Sequence, residues 1–265
     1  MIPQAFITEW STQVPWQTNE QVEQDLVICR ALVEIFKDDF LASKLAFRGG
    51  TALHKLFIHP QPRYSEDIDL VQIEPAPIGD VLDRLREVLS FIDGKVTIDK
   101  GDVMTTMRCK FQSEIPPIVP LKLKVETNCR EHLIELGWEK KKFSVYSSWY
   151  KDECEITTYK IEELLGTKLR ALYQRRKGRD LYDLHRVLSS INVDKDAIIH
   201  CFKEYIKFST GKIPSQLDII NNMDLKMKNP DFLGDITLLL RPEEIEKYNQ
   251  EQAYELIRKE LIERI

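Results

Sequence analysis

No apolar run in this chain of 265 residues approaches the roughly 18 residues that a membrane-spanning helix needs, so a helical membrane protein is not expected. The opening Met1-Ile2-Pro3-Gln4-Ala5-Phe6 has no basic segment ahead of an apolar stretch. No signal peptide is therefore visible, and a cytoplasmic location is the expectation. Cysteine is sparse: Cys29, Cys109, Cys129, Cys154 and Cys201 are odd in number and form no C-x-x-C. That speaks against a disulfide framework or a cysteine zinc site and fits reduced thiols. The 5 histidines are scattered, with no H-E-x-x-H. Internal repeats and low-complexity segments are missing. An excess of positive charge is missing too: 38 Lys and Arg face 43 Asp and Glu, a net charge of −5. A protein that coats nucleic acid non-specifically would normally be basic. What is present is a 43% apolar fraction spread along the whole length, enough for a core and against disorder. The length suits one large domain or two small ones.

Periodicity organises the chain. Thr18-Asn19-Glu20-Gln21 has the form of a capping box, and Val22, Leu26, Cys29, Val33 and Phe36 follow at steps of 4, 3, 4 and 3, one face of a helix. Leu45-Ala46-Phe47 reads as a short buried strand. It runs into a Gly-Gly turn, Arg48-Gly49-Gly50-Thr51, and then a helix over residues 52–57. Strands are expected at 68–73, at 96–98 and 103–111 around a turn at Asp99-Lys100-Gly101-Asp102, and at 121–127; a helix is expected at 78–92. From Ile161 the pattern is helical, with segments near 161–176, 180–189, 195–208, 214–226 and 243–264. The expected fold class is α+β: a mixed-sheet α/β lobe over 1–160 with an N-terminal helix, and a helical lobe over 161–265 that completes an active site.

Chemistry concentrates around Arg63-Tyr64-Ser65-Glu66-Asp67-Ile68-Asp69. Residues i and i+2 of a strand point to one side, about 6.5–7 Å apart, so Asp67 and Asp69 can aim two carboxylates at one spot. Unneutralised, such a pair repels; a divalent cation removes the repulsion, and Mg²⁺ prefers carboxylate together with phosphate oxygen. Gly49 and Gly50 let backbone N–H groups approach a phosphate at a helix start. Glu126, on a strand face shared with Lys122 and Lys124, could serve a second metal or simply pair with either lysine. A D-x-D-x-T phosphatase motif fails, because Val71 follows Asp69-Leu70. A nucleotide-sugar glycosyltransferase stays open, though it lacks the Gly-Gly helix.

Lys168 falls among the apolar positions Ile161, Leu165 and Leu172. It is either a lysine snorkelling from the core edge or one aimed into a cleft where it neutralises a triphosphate. In the second case Lys168→Ala leaves the melting temperature within a few degrees. Gly166, costly in a helix, suggests close approach of a backbone or ligand. Lys168, Arg170, Arg175, Arg176, Lys177 and Arg179 form a run of cations with no acid between 168 and 179, a local patch suited to RNA. Asp180 and Asp183 share a helix face. Asp180 also suits a first-turn residue complementing the helix dipole, and Asp183 an i, i+4 partner of Arg179.

G-G-T, then R-x-S-x-D-x-D, a strand with K-x-E, K-x-x-A and a later R-D-x-x-D together resemble the AbiEii/AbiGii abortive-infection toxins, to which the MenT toxins are related. These are nucleotidyltransferases of the DNA polymerase β superfamily, and the motifs span residues 47–186. The resemblance implies a Mg²⁺- or Mn²⁺-dependent transfer of a nucleotide from an NTP to a nucleic-acid hydroxyl, such as a tRNA 3′ end, or to a protein hydroxyl. It implies a cognate antitoxin as partner and no membrane. It implies that Gly49, Gly50, Thr51, Ser65, Lys168, Arg179 and Asp180 contact the nucleotide. Asp67, Asp69 and Glu126 then hold metal, and Asp67, Asp69, Lys168 and Asp183 are catalytic. In some relatives the serine at the Ser65 position accepts a phosphoryl group when the antitoxin silences the toxin. A non-catalytic NTP- or RNA-binding regulator on the same fold is the alternative.

Overall fold

The structure, a computed structural model, describes residues 2–265. It divides into two compact units. One holds the chain as far as His132 together with Trp138–Tyr159; the other holds Leu133–Gly137 and Lys160–Ile265.

The first unit begins with α1 (Gln4–Ser11), α2 (Asn19–Lys37) and α3 (Asp39–Lys44), then β1 (Leu45–Arg48), α4 (Gly49–Leu56), β2 (Asp67–Gln72) and α5 (Gly79–Val88). β3 (Val96–Lys100), β4 (Met104–Gln112), β5 (Pro120–Asn128), β6 (Trp138–Tyr146) and β7 (Lys151–Tyr159) complete it. The seven strands lie in one sheet in the order β3-β4-β5-β2-β1-β7-β6, with β2–β5 and β1–β7 parallel and the other neighbours antiparallel. α2 starts where its cap directs, Thr18 accepting from the Gln21 N–H, and it buries Leu26, Ile28, Leu32 and Phe36. Phe36 meets Phe47 of β1 with ring centroids 6.4 Å apart. Ile68, Leu70, Leu123 and Val125 are buried on the same face as Phe47, and period two then sends Asp67, Asp69, Lys124 and Glu126 to the opposite face.

Several features of this unit differ from the sequence expectation: α1 and α3 were not expected as helices. Gly49 opens α4 itself, so Gly49-Gly50-Thr51 is the first helical turn and not a separate turn before a later helix. β6 and β7 were invisible in the pattern: β6 is an edge strand carrying Lys140, Lys141 and Lys142 in succession, and β7 opens with the polar residues Lys151, Asp152 and Glu153.

The second unit contains α6 (Ile161–Gln174), α7 (Gly178–Ser190), α8 (Lys195–Thr210), α9 (Gln216–Lys226), α10 (Pro230–Gly234), α11 (Pro242–Ile245) and α12 (Gln250–Glu260). The segment expected as one helix over 243–264 is thus broken into α11 and α12. A Cβ on Gly166 would lie 2.5 Å from Cβ of Cys201 and 3.0 Å from Ile198 O, so this glycine admits α8 against α6 and not a ligand. Glu163 is fully buried, and its carboxylate accepts from the N–H groups of Glu135 (2.8 Å) and Leu136 (2.9 Å) and from the Tyr205 hydroxyl (2.7 Å). The five residues Leu133–Gly137 are thereby tied into the helical unit.

A buried ion pair braces the first unit. Lys55 of α4 donates to Asp25 of α2 at 2.8 Å and to Cys29 Sγ at 3.1 Å, and the Trp10 indole N–H of α1 donates to Asp25 at 3.1 Å. Both side chains of the pair are nearly inaccessible, at 3% and 1%. Burial pushes the Cys29 thiol up to about 12, so it is not a nucleophile at neutral pH. Breaking a buried pair from one side leaves the other charge stranded, at about 3–5 kcal/mol. Lys55→Met is expected to lose that much in urea unfolding, whereas Asp25→Leu with Lys55→Met recovers most of it. A single variant as stable as the parent would show that the pair braces nothing.

Candidate active site

β2 carries the acidic centre of the first unit. Its register sets Asp69 beside Arg48 of β1 on one side, and Asp67 beside Lys124 and Asp69 beside Glu126 of β5 on the other. Lys124 Nζ lies 2.8 Å from Glu126 and 3.5 Å from Asp67, and Thr106 donates to Glu126 at 3.3 Å. Burial raises the Asp67 carboxyl above its usual range; the nearby Lys124 and Lys122 charges oppose this and Glu126 adds to it. The Lys124 ammonium is held above the usual lysine range, because its two carboxylate partners outweigh the cost of burying it. Glu126 thus makes the lysine pair that the strand pattern allowed. Among the described residues, no three His, Cys, Asp or Glu side chains converge closely enough to hold a metal ion between them. Lys124 stands between Asp67 and Glu126 and supplies the positive charge there.

The glycine start of α4 meets this centre. Gly49 has φ +82°, in the left-handed region, and a Cβ placed on it would fall 2.1 Å from Asp69 Oδ2. Only a residue without a side chain lets the Asp69 carboxylate lie against the first turn of α4. Thr51 donates to the Asp67 carbonyl, and its oxygen lies 2.7 Å from that of Ser65. The Thr51 proton is committed to the carbonyl, so Ser65 is the donor between the two hydroxyls. Arg48, just ahead of α4, is paired with Glu131 at 2.8 Å. The first unit therefore gathers Gly49, Gly50, Thr51, Ser65, Asp67, Asp69 and Glu126 around the start of β2.

In the second unit Lys168 of α6 lies 2.8 Å from Asp183 and 3.1 Å from Asp180, both on α7 and both fully buried. Arg175 adds a two-pronged contact to Asp180 at 2.7 and 2.9 Å. Burial would raise the Asp180 carboxyl, but Lys168 and Arg175 outweigh it and hold it below the usual range. Lys168, only 7% exposed, is neither a snorkelling lysine nor a free cleft lysine; it is the counter-ion of two acids. Asp183 is paired with Lys168 and not, as helix spacing suggested, with Arg179.

Arg179 instead grips Asp235, which follows α10, at 2.9 and 3.0 Å, and Lys177 joins it at 3.2 Å. Asp235 is held down to about 2, the Arg179 guanidinium overcoming its burial. Gly178 makes this possible: a Cβ there would lie 2.2 Å from Phe232 O. The cation run 168–179 is therefore not an open basic patch, because Lys168, Arg175, Lys177 and Arg179 are paired with Asp180, Asp183 and Asp235. Asp235 could not be read from the sequence, since it lies 56 residues beyond Arg179 with no motif around it.

A protein-family model described as the nucleotidyl transferase AbiEii toxin of type IV toxin–antitoxin systems matches residues 30–260. Among solved structures, MenT4, a nucleotidyltransferase toxin from Mycobacterium tuberculosis, aligns with a TM-score of 0.65 at 17% identity, over 98% of this chain and 88% of that one. A nucleotidyltransferase-like antigenic protein from Paracoccidioides brasiliensis aligns at 14% identity with a TM-score of 0.44, over 84% of this chain and 97% of that one. No curated protein matches by sequence. At 17% identity the MenT4 alignment speaks for the fold alone.

Two substitutions probe this geometry. Gly49→Ala is expected to lower the melting temperature and to displace Asp69, since its methyl group cannot coexist with the carboxylate; an unchanged melting curve would contradict the close approach. Lys168→Ala strands buried carboxylates and is expected to cost about 3–5 kcal/mol in denaturant unfolding. That replaces the expectation of a melting temperature within a few degrees, which a near-neutral result would restore.

Proposed function

The chain belongs to the AbiEii family of nucleotidyl transferase toxins, and on that premise we propose that it moves a nucleoside monophosphate from an NTP to the 3′ hydroxyl of an RNA, with tRNA as the acceptor class. The acceptor oxygen forms a bond to the α-phosphorus, the bond from that phosphorus to the bridging oxygen breaks, and pyrophosphate leaves. The hydroxyl proton passes to a β2 carboxylate or to water. The observation that carries the reading is the pair Asp67 and Asp69 on one strand face, pressed against the glycine start of α4.

Phosphoryl transfer is mainly positioning and charge neutralisation. The first turn of α4 offers backbone N–H groups to phosphate oxygens, and the Thr51 and Ser65 hydroxyls, bonded to the Asp67 carbonyl and to each other, fix the start of β2 beside that turn. The β2 pair fits a hard divalent ion: the carboxylates share one face, and the Asp67 carboxyl is raised by burial and by Glu126, a situation that added positive charge relieves. Asp67 and Asp69 would hold Mg²⁺ or Mn²⁺, with Glu126 joining on release from Lys124. Bound there, the ion neutralises phosphate charge and lowers the barrier to displacement. For Lys168 and Arg179 a role at the triphosphate rests on the family resemblance alone; within the second unit Lys168 is engaged by Asp180 and Asp183, and Arg179 by Asp235. A cognate antitoxin is the partner that the family implies. Sugar transfer, open on the D-x-D alone, has no support from the family.

Asp67→Asn and Asp69→Asn are expected to reduce transfer from labelled NTP to total tRNA by about a thousandfold or more, a loss in line with removing a principal electrostatic stabiliser. Chelation with EDTA should do the same and added Mg²⁺ should restore it. Transfer that survives either substitution, or no transfer by the parent protein to any RNA, would sink the reading.

A further inference from the structure

The sheet face that carries Asp67 and Asp69 continues across β5 and β4 toward the β3 edge, and its charge changes sign. Lys122 of β5 lies directly opposite Lys110 of β4, and Lys124 directly opposite Arg108. Neighbouring strands are about 4.8 Å apart and same-face residues about 6.5–7 Å apart along a strand, so these cations form a compact grid. Lys124 is engaged with Glu126 and Asp67. Lys110 and Lys122 are exposed and Arg108 is half-buried. Among the described residues, none of these three makes an ion pair or a side-chain hydrogen bond. The nearest acid on the same face toward the edge is Asp99 of β3, which is opposite Thr106 and pairs with none of them.

Like charges directly across a ladder destabilise a sheet, and this chain, with 43 acids, has material to neutralise them. It does so for Lys168, Arg175 and Arg179, whereas none of Arg108, Lys110 and Lys122 forms an ion pair among the described residues and only Lys122 is near enough to an acid, Asp67, to act on it. A net charge of −5 also repels a polyanion at long range, so a polyanion must be met by a local unpaired group of cations. The side chains that border the three cations on this face, Thr97, Thr106 and Gln112, are polar, and the one exposed apolar residue of this face of β4, Met104, lies at the far end of the strand, so the patch itself offers a peptide little apolar anchorage. A line of regularly spaced positive charge without apolar anchors matches a phosphate backbone.

We propose that Arg108, Lys110 and Lys122 are a track for the backbone of the RNA acceptor strand, leading its 3′ end along β4 and β5 to the β2 carboxylates. The proposal rests on the reading of the chain as an RNA-directed nucleotidyltransferase. It also states where the specificity for an acceptor lies: in backbone charge ahead of the terminus, with no base-edge reader among these residues.

The test uses the full-length protein, 5′-labelled tRNA and fluorescence anisotropy over a range of salt, comparing the parent with Lys110→Gln/Lys122→Gln. The plot of log affinity against log salt should flatten by about two, one for each phosphate that the variant no longer neutralises. The KM for tRNA should rise about tenfold or more, with the KM for NTP and kcat at saturating tRNA within about twofold. A second variant, Lys122→Glu, places opposite charges across the ladder. It should melt no lower than the parent and bind tRNA more weakly still. An unchanged salt slope and an unchanged KM for tRNA would overturn the track. So would weakened binding of labelled polyglutamate with tRNA binding intact, which would make the face a protein-docking surface. If the parent transfers no nucleotide but the salt slope falls in the variant, the track stands and the catalytic reading fails. If transfer proceeds with tRNA kinetics untouched by the variant, the reverse holds.

Discussion

Asp69 lies so close to Gly49 that a single methyl group would fall within 2.1 Å of its carboxylate oxygen, and the arrangement of the first unit follows from that approach. It sets β1, which delivers Gly49, beside β2, which delivers Asp69. It requires a left-handed backbone at the residue that opens α4. It also turns the N–H groups at the start of that helix toward an acidic strand, a favourable neighbour for the positive end of the helix dipole. The alternation of β2 does the rest: Ile68 and Leu70 are committed to the core, so the carboxylates have only the other face to occupy.

Buried charge serves as bracing in both units, with a different use in each. Asp25 and Lys55 join α2 to α4, which keeps the Gly49 turn in register with the sheet. Lys168, Asp180, Asp183 and Arg175 join α6 to α7. The first pair contains no residue with a proposed role at phosphate, whereas three of the second four, Lys168, Asp180 and Asp183, have one. In the second unit, therefore, the groups that stabilise the fold and the groups proposed for chemistry coincide. Loss of activity on mutating them has to be separated from loss of structure.

Much of this was legible in order of local specification. The cap at Thr18 and the steps from Val22 to Phe36 describe α2 completely, because a helix end and a helix face are both written within a few residues. The carboxylates of β2 and the glycines before them were legible for the same reason. β6 and β7 were not: an edge strand needs little apolar alternation, and three lysines in a row conceal what there is. Pairings made through space were also hidden. Lys168 gave two readings because its helix phase shows that it faces inward but not what it meets. Arg179 suggested a nucleotide contact, and its actual partner, Asp235, lies beyond three further helices. The cation run looked like an open patch because helix phase does not show which cations the adjacent Asp180 and Asp183 meet and because Asp235 is distant in sequence, while the unpaired cations of β4 and β5 are separated in sequence and adjacent only once the ladder forms.

Between β5 and β6 the chain leaves the sheet for Leu133–Gly137, supplies two backbone N–H groups to the buried carboxylate of Glu163, and returns to form the last two strands. The helical unit is therefore not a continuous stretch that evolution or a protease could detach at Lys160. Cut there, it would keep Glu163 and lose two of the donors that satisfy it, leaving a carboxylate buried short of partners. The sheet unit cannot be shortened to the residues before Leu133 either, because β7, the parallel neighbour of β1, comes afterwards. During synthesis, β6 and β7 must emerge before the sheet can close on the far side of β1, and Glu163 arrives only after both. Neither unit is one continuous segment of the chain, so no single cut releases either of them whole.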